Sequence, residues 1–180
     1  MMVSLDGYFE GEGHDLSWHN VDAEFNEYAI EQTKSVRTFL YGRRTYELMA
    51  SYWPTEGSRT DDPIVANLMN TIPKIVFSKT IKDLPKIEHW ENAALKNEIN
   101  KSEIEKLKQE SEKDIAIYGS NQLCVEMMKL GLVDEFRIMV NPIAIGKGTR
   151  LFQGLTEKYN FKLQSSKQFK SGNVLLVYTK

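Results

Sequence analysis

The fold of this chain is decided by the stretch Thr38-Phe39-Leu40-Tyr41-Gly42-Arg43-Arg44-Thr45-Tyr46-Glu47 and by a second one, Ile115-Ala116-Ile117-Tyr118-Gly119-Ser120-Asn121-Gln122. In each, a short apolar run stops at a glycine and a helical pattern begins. A helix start offers unpaired backbone N–H groups and the positive end of the helix dipole, which together attract anions. Two such junctions in one small chain predict a ligand with more than one phosphate, and a dinucleotide is the obvious candidate.

Size and composition predict a single globular domain over residues 1–180, since the chain has 180 residues and 41% hydrophobic content. A formal net charge of -2 disfavours nucleic acid and anionic membranes as partners. No apolar run reaches the length of a membrane span, and the first residues lack the basic start of a signal peptide. The single cysteine, Cys124, is expected to be a buried structural thiol. These features favour a cytoplasmic protein.

Periodicity predicts alternating strands and helices through the first two thirds of the chain, followed by an antiparallel hairpin. The predicted strands cover 3–5, 36–41, 74–78, 114–118, 133–140, 160–169 and 174–179, with a further short strand within 87–95. The predicted helices begin at Asp22, with Asn20 or Asp22 as the N-cap, and at Arg43, Pro63, a capping box of Ser102 to Glu105, and Gln122. Residues 6–20 and the segment after Trp53-Pro54 are predicted loops. This order indicates an α/β fold with a mixed, mostly parallel sheet and helices on both faces.

A third strand end favours NADPH over NADH. At the first junction, Gly42 would let backbone approach a phosphate while Arg43 and Arg44 add charge, but a plain turn with solvated arginines explains that junction equally well. The strand before Ser78 and Lys79 delivers a hydroxyl and an ammonium to the same sheet edge. Selection for NADH usually calls for an acid at this point, and none stands there. The alternative for this segment is a plain polar loop.

The second junction would press the backbone of Gly119 and Ser120 against a pyrophosphate. Taken alone it is better explained as an ordinary strand–helix turn capped by serine or asparagine. The chain has neither a GxGxxG fingerprint nor a Walker motif, which disfavours standard Rossmann and P-loop folds. The sequence Gly146-Lys147-Gly148 is predicted to form a turn between strands.

The loop after the first strand carries Asp6, His14, Asp15, Trp18 and His19, but no pair has the spacing of a helical metal site, so no metal is predicted. Asp6 would hydrogen-bond a heterocycle or order the active-site loop, and the alternative is a turn former in Asp6-Gly7. Trp18 would stack on a ring or anchor a lid, and the alternative is simple burial.

Together these residues resemble the dihydrofolate reductase-like superfamily, and within it the branch of the C-terminal reductase domain of the bifunctional riboflavin-biosynthesis protein RibD. Short motifs in order along nearly the whole chain carry the resemblance: Val3 to Phe9, Leu16-Ser17-Trp18, Gly42 to Glu47, Lys74 to Thr80, Ile117 to Ser120, Gly131 to Glu135, and Asn141-Pro142 through Gly146-Lys147-Gly148 to Phe152.

The resemblance implies an α/β/α sandwich, NADPH as hydride donor and a flat heterocycle as acceptor. It places Gly42 to Thr45 near the cofactor phosphates, Ser78 near the 2′-phosphate and Gly119-Ser120 against the pyrophosphate, where dihydrofolate reductases have a cis Gly-Gly bond. It also implies homodimers and more residues in the first strand before Val3. The acid with which folate enzymes bind the pterin falls near Ala23, between Asp22 and Glu24.

These considerations predict an NADPH-dependent reductase of a small pterin-like, folate-like or 5-amino-6-(5-phosphoribosylamino)uracil-like heterocycle. The alternative is a non-catalytic nucleotide- or ligand-binding protein on the same fold. The predicted cofactor-binding residues are Gly42, Arg43, Arg44, Thr45, Ser78, Lys79, Gly119 and Ser120. On the substrate side we expect Asp6 as the catalytic proton relay and Trp18, Asp22 and Glu47 as binding residues.

Overall fold

The structure is a computed structural model that describes residues 1–180. Its helices are α1 Ala23–Lys34, α2 Arg43–Tyr52, α3 Glu56–Asp61, α4 Pro63–Thr71, α5 Lys101–Gln109 and α6 Asn121–Lys129, with a 3-10 turn at Glu12–His14. Its strands are β1 Met2–Val3, β2 Tyr8–Glu10, β3 Val36–Gly42, β4 Lys74–Phe77, β5 Ala93–Lys96, β6 Asp114–Ile117, β7 Glu135–Val140, β8 Thr149–Arg150, β9 Lys162–Gln168 and β10 Val174–Thr179. No helix is long and apolar enough to cross a membrane.

The chain divides into two compact units, the first formed by Met1–Asn26 with Cys124–Lys180 and the second by Glu27–Leu123. The first unit contains a four-stranded sheet in the order β1-β7-β10-β9 and a two-stranded ribbon of β2 and β8. In the sheet, β1 runs parallel to β7, whereas β10 runs antiparallel to both β7 and β9. The predicted C-terminal antiparallel hairpin is therefore confirmed.

The second unit contains a four-stranded sheet in the order β5-β4-β3-β6, and all of its neighbours are parallel. Its central strand β3 is rich in aromatic and branched residues because both of its faces are covered. Phe39, Tyr41 and Val76 are completely buried there, together with Tyr46 of α2 and Trp90. This core fixes where β3 and β4 end, and those ends carry most of the predicted cofactor residues.

Several local expectations are wrong. The segment after Trp53-Pro54 is not all loop: it forms α3, because the Thr55 side chain accepts a hydrogen bond from Ser58 N and caps the helix. The charged helix α5 is capped by Asn100 and not by a box at Ser102, since the Asn100 side chain accepts from Ser102 N and Glu103 N. Residues 6–20 are also not all loop, because β2 lies there and pairs with the distant β8.

Two other expectations are confirmed. The Asp22 carboxylate accepts a hydrogen bond from Phe25 N at 2.8 Å, and so caps the start of α1. Cys124 is buried, and burial raises the pKa of its thiol to about 11. A thiol with so high a pKa is not a nucleophile at neutral pH, which agrees with a structural role.

Lys74 is an unexpected buried charge at the start of β4, where it is only 2% exposed. Its ammonium donates to the carbonyls of Asn70 at 3.3 Å and Ile72 at 2.8 Å, and it lies 4.0 Å from the centre of the Trp90 ring. The ammonium thus binds carbonyls at the end of α4, which is the negative end of the helix dipole. Burial lowers its pKa from 10.5 to about 8.

We expect this lysine to make the stability of the protein rise with pH. Between about pH 8 and 10.5 the unfolded chain binds a proton that folded Lys74 has released, so unfolding becomes less favourable as the pH increases. The gain is at most about 3 kcal/mol across that window. Urea denaturation at pH 7 and pH 10 should show the difference in unfolding free energy, wild type minus Lys74→Met, increasing with pH. A difference that stays constant between the two pH values contradicts this prediction.

Candidate functional site

The carboxyl ends of β3, β4 and β6 lie side by side in the second unit. The strand register pairs Gly42 with Phe77 and Leu40 with Ile117. Gly119, two residues beyond Ile117, is therefore level with Gly42, and Ser78 follows Phe77 directly. Ligands of parallel sheets bind outside this end of the strands.

Ser120 ties the two glycine junctions together. Its hydroxyl oxygen accepts a hydrogen bond from Gly42 N at 2.8 Å and donates one to the Thr45 hydroxyl at 2.6 Å. Gly42 N and the Ser120 hydroxyl hydrogen are thus both engaged within the protein. The Thr45 hydroxyl accepts from Ser120, so its own hydrogen can still be donated to another acceptor.

Gly119 stands where a side chain does not fit. A Cβ atom there would lie 2.9 Å from Thr45 Cγ2 and 3.3 Å from Thr45 Oγ1, and the residue has a φ of +71°. Ser120 also has a positive φ, of 58°, although serine rarely adopts this left-handed conformation. The chain has no cis peptide bond, so this turn is trans where dihydrofolate reductases have their cis bond. The backbone of the turn is held in place by tight packing and by the hydroxyl of Ser120.

The start of α2 presents a positive helix end. Gly42 occupies the N-cap position and, lacking a side chain, makes no cap to the first-turn N–H groups. Arg43 Nη1 lies 3.3 Å from Glu47 Oε1 on the next turn, and both side chains are more than 40% exposed. An exposed ion pair of this kind contributes little and opens easily to an incoming anion. Arg44 is exposed at the same helix end.

The end of β4 is polar and free of carboxylates up to Asp83. Ser78 N donates to the carbonyl of Lys96 at 3.0 Å, which fixes the segment against β5. The Ser78 hydroxyl lies 3.2 Å from the Thr80 hydroxyl, and Lys79 is exposed. The structure therefore brings Gly42, Thr45, Gly119 and Ser120 into contact and places Ser78 and Lys79 on the neighbouring strand end.

In the first unit, Asp6 holds a loop. Its carboxylate accepts hydrogen bonds from Ser4 Oγ at 2.6 Å, Ile145 N at 3.2 Å and Gly146 N at 2.8 Å. The Ser4 hydroxyl, followed by the two backbone N–H groups, lowers the pKa of this carboxyl below its ordinary 3.8. A carboxylate held by three donors is suited to ordering the loop, one of the roles expected from the sequence.

This arrangement predicts that the backbone amides of Ile145 and Gly146 report the titration of the Asp6 carboxyl. The amide proton resonances of Ile145 and Gly146 should shift together in an NMR titration, with an apparent pKa below 3.8, because their acceptor is lost when Asp6 is protonated. In Asp6→Asn the same resonances should no longer titrate. Unchanged titration in that variant would show that another acid governs the loop.

The predicted substrate residues are distributed over both units. Trp18 Nε1 donates to the Asp15 carbonyl at 3.1 Å, and its ring meets His19 edge-on at 4.5 Å between centroids. Asp22 caps α1, while Glu47 lies on α2 in the second unit beside Arg43. Asp6 instead contacts the loop near Gly146. Across residues 1–180 no three histidine, cysteine, aspartate or glutamate side chains come together to hold a metal ion.

Sequence reasoning missed two buried polar residues that support the first unit. Ser4 is 1% exposed and joins the Asp6 carboxylate to the backbone of Tyr8. Asn141 is fully buried, where its amide accepts from Asn20 N at 2.9 Å and donates to the carbonyl of Val3. Both residues lie in stretches that carry the family resemblance, but a polar residue at the end of an apolar strand is too common to reveal these contacts.

Comparison with known proteins finds a family model and a relative that both cover nearly the whole chain. The model of the RibD C-terminal domain matches residues 1–175. The uncharacterised protein YyaP of Bacillus subtilis (strain 168) is 31% identical over 178 residues, which is 99% of this chain and 91% of that protein.

Solved structures share the fold. A Shewanella sp. PV-4 protein, provisionally named a riboflavin biosynthesis protein, superposes with a TM-score of 0.76 at 23% identity over 99% of this chain and 95% of its own. The diaminohydroxyphosphoribosylaminopyrimidine deaminase/5-amino-6-(5-phosphoribosylamino)uracil reductase of Thermotoga maritima gives a TM-score of 0.64 at 15% identity, over 99% of this chain and 54% of its own. The predicted α/β class and dihydrofolate reductase-like fold are confirmed.

Proposed function

Because the chain belongs to the RibD C-terminal domain family, we propose that it is an NADPH-dependent reductase of a small heterocyclic compound. The observation that carries the proposal is the junction of Gly42, Thr45, Gly119 and Ser120 at the carboxyl edge of a parallel sheet. The named reductase activity of the Thermotoga maritima relative supports the reaction type.

The second unit fits a dinucleotide on its own chemistry. A backbone turn without side-chain bulk at Gly119 suits close approach of a pyrophosphate. The uncapped start of α2 and the Thr45 hydroxyl would supply donors, while Arg43 and Arg44 would supply positive charge. Ser120 acts as a positioning residue, since its hydroxyl already holds Gly42 and Thr45.

The segment Ser78-Lys79 would select NADPH over NADH. A hydroxyl and an exposed ammonium at a strand end complement the 2′-phosphate, whereas the carboxylate that pairs with the 2′-hydroxyl of NADH is missing from this strand end. Bound NADPH would supply a hydride, and the chain's contribution would be alignment and electrostatics.

On the substrate side, Asp6 would order the 143–146 loop. The proposed substrate-binding residues are Trp18 and Asp22 in the first unit and Glu47 in the second unit. Because three hydrogen-bond donors hold the Asp6 carboxylate, we assign it the loop-ordering role and not proton relay. The substrate class we propose is a pterin-like, folate-like or 5-amino-6-(5-phosphoribosylamino)uracil-like heterocycle.

The hydrogen bonds that tie Asp6 to its own loop favour one alternative, a nucleotide- or ligand-binding protein that keeps the fold without turnover. The two functions differ in a simple readout. A reductase oxidises NADPH in the presence of a reducible heterocycle, whereas a binding protein binds the cofactor and leaves it unchanged.

The test of the cofactor proposal is calorimetric titration with NADPH and NADH. We expect micromolar or tighter binding of NADPH and, because the 2′-phosphate contacts are lost, about 10- to 100-fold weaker binding of NADH. Lys79→Gln should weaken the binding of NADPH by about tenfold and leave the affinity for NADH unchanged. Lys106→Gln is the matched control, since Lys106 is an exposed lysine on α5 of the same unit. Failure to bind either cofactor would overturn the proposal.

We also propose that the chain forms the homodimer implied by its family. Light scattering coupled to size-exclusion chromatography should give twice the chain mass of 20.8 kDa. A monomer at micromolar concentration contradicts this part of the proposal and leaves the cofactor site unaffected.

A further inference from the structure

The loop that precedes α1 contains a histidine with one unpartnered ring nitrogen. His19 Nε2 is buried, and no group of the protein makes a hydrogen bond to it. A hydrogen bond joins the ring to the carbonyl of Phe9 in β2. Both observations fit a neutral imidazole that carries its hydrogen on Nδ1 and a free electron pair on Nε2. The Trp18 ring covers His19 edge-on, with 4.5 Å between the two ring centroids.

Protonation of this ring is unfavourable in the folded protein. The second proton would go to Nε2, where the buried N–H group of a cation would have no acceptor. Two charged groups act on the ring: the Asp15 carboxylate favours its positive charge, and the amino group of Met1, next to β1, opposes it. Burial outweighs the help from Asp15 and from the Phe9 carbonyl, so the pKa of His19 is lowered below its ordinary 6.5.

The loop of residues 15–19, here called the His19 loop, is held largely by bonds close to its start. The Asp15 carboxylate accepts a hydrogen bond from Ser17 N at 2.9 Å, and the Asp15 carbonyl accepts one from Trp18 Nε1 at 3.1 Å. Gly11 N also donates to the Asp15 carbonyl, at 2.8 Å, and fixes the start of the loop. The second half of the loop is joined to β2 through the His19 ring.

The end of the His19 loop is fastened at Asn20. Its backbone N donates to Asn141 Oδ1 at 2.9 Å, and its side-chain Nδ2 donates to the Ser171 carbonyl at 2.9 Å. Its carbonyl accepts a hydrogen bond from Asn173 Nδ2 at 2.7 Å. All of these groups are amides or carbonyls, which keep their hydrogen bonds when the solution becomes mildly acidic. The loop can therefore leave β2 between two fixed ends.

We propose that His19 is an acid-sensitive switch: while its ring is neutral it holds the His19 loop against β2, and protonation releases the loop together with Trp18. Release allows water to solvate the charged ring, which its buried position does not. The open fraction should increase by up to about tenfold per pH unit as the pH falls from the ordinary pKa of histidine towards the lowered pKa of the closed form.

One consequence of this switch rests on the proposed function. Because Trp18 is a proposed substrate-binding residue, release of the His19 loop would weaken substrate binding at acid pH. The switch itself is a property of the free protein and requires neither cofactor nor substrate.

The experiment is an NMR titration of the ¹³C,¹⁵N-labelled full chain from about pH 7.5 to about pH 5, which lies above the ordinary pKa values of carboxyl groups. The ring carbons of His19 report its protonation, and ¹⁵N relaxation of the backbone amides reports the motion of the loop. We expect the order parameters of Ser17 and Trp18 to fall from about 0.85 to below about 0.6 as His19 is protonated, while Asn20 stays rigid.

Three variants separate His19 from the other histidines. His19→Asn replaces the ring by an uncharged amide that can still donate to the Phe9 carbonyl, so the loop should stay rigid at both ends of the titration. His14→Gln removes the histidine that lies 2.9 Å from Glu10 Oε1, and His89→Gln removes a histidine of the second unit whose side chain is half exposed. Both of these variants should release the loop as the wild type does.

Two results would overturn the proposal. The first is a His19 loop that stays rigid in the wild type while the His19 ring takes up its proton, and this observation needs no variant. The second is a loop that becomes mobile at acid pH in His19→Asn, because another group would then drive the release. Neither result involves NADPH, so both leave the proposed reductase function unaffected.

Discussion

Replacing Gly148 with alanine should lower the free energy of unfolding by about 3–5 kcal/mol, the largest effect expected of any single methyl group in this chain. The new Cβ would lie 2.0 Å from the Glu10 carbonyl oxygen and 2.9 Å from Gly11 Cα. Both are backbone atoms, so no side chain can rotate away to relieve the overlap. The φ of +138° adds strain, because residues with a Cβ rarely adopt it.

Thermal denaturation followed by circular dichroism measures this loss, and a fall in Tm of about 10 °C is expected for a chain of this size. Gly146→Ala is the matched control two residues away. Gly146 also has a positive φ, of 73°, but no atom lies within 4 Å of its ideal Cβ, so only the backbone strain remains. We expect that control to lose about 1–2 kcal/mol. Equal losses of stability in the two variants would contradict this prediction. They would mean that the backbone of the β2–β8 ribbon moves away from the new Cβ atom without a cost in free energy of unfolding.

Replacing Gly119 with alanine should weaken NADPH binding by at least about tenfold and lower stability by about 1–3 kcal/mol. The added Cβ would lie 2.9 Å from Thr45 Cγ2, at a residue whose φ is +71°. To make room, Thr45 must move away from Ser120, and the 2.6 Å hydrogen bond between their hydroxyls is then lost. That bond joins the two junctions proposed to hold the cofactor phosphates.

Calorimetry with NADPH, together with urea denaturation, separates the two effects. Gly57→Ala in α3 is the control within the same unit, because its nearest neighbour is the Thr55 hydroxyl at 3.8 Å and alanine favours a helix. We expect it to bind NADPH normally and to be as stable as the wild type or slightly more so. Wild-type NADPH affinity in Gly119→Ala would argue against close approach of the cofactor to this turn.

Long-range pairing explains where prediction from the sequence was incomplete. The periodic segments Val36 to Tyr41 and Val174 to Thr179 matched their strands closely because their apolar pattern is strong and local. Strand β2 was missed, since Tyr8 to Glu10 form a strand only because Thr149 and Arg150 lie beside them. The helix α3 was missed because its composition, Glu56 to Asp61, is polar and has no apolar face.

In the candidate site, too, local sequence signals were visible in advance and contacts between distant residues were not. The sequence could propose Gly42, Gly119 and Ser78 as cofactor residues because glycine and serine at strand ends are a local signal. Their roles were not all visible: the Ser120 hydroxyl faces Gly42 and Thr45 inside the protein, and the Asp6 carboxylate is taken up by Ser4 and the Gly146 loop. Such partners lie far apart in the chain, and composition does not reveal them.

The sequence by itself determined the α/β class, the family and the two glycine junctions, because these follow from short-range apolar periodicity and from motifs that are contiguous along the chain. The tertiary structure alone decided which hydroxyls and carboxylates are already engaged, that Lys74 is buried against Trp90, and that Gly148 packs against the backbone of Glu10. The physical reason is that burial and hydrogen-bond partnership depend on contacts between distant residues, which form only when the chain has folded.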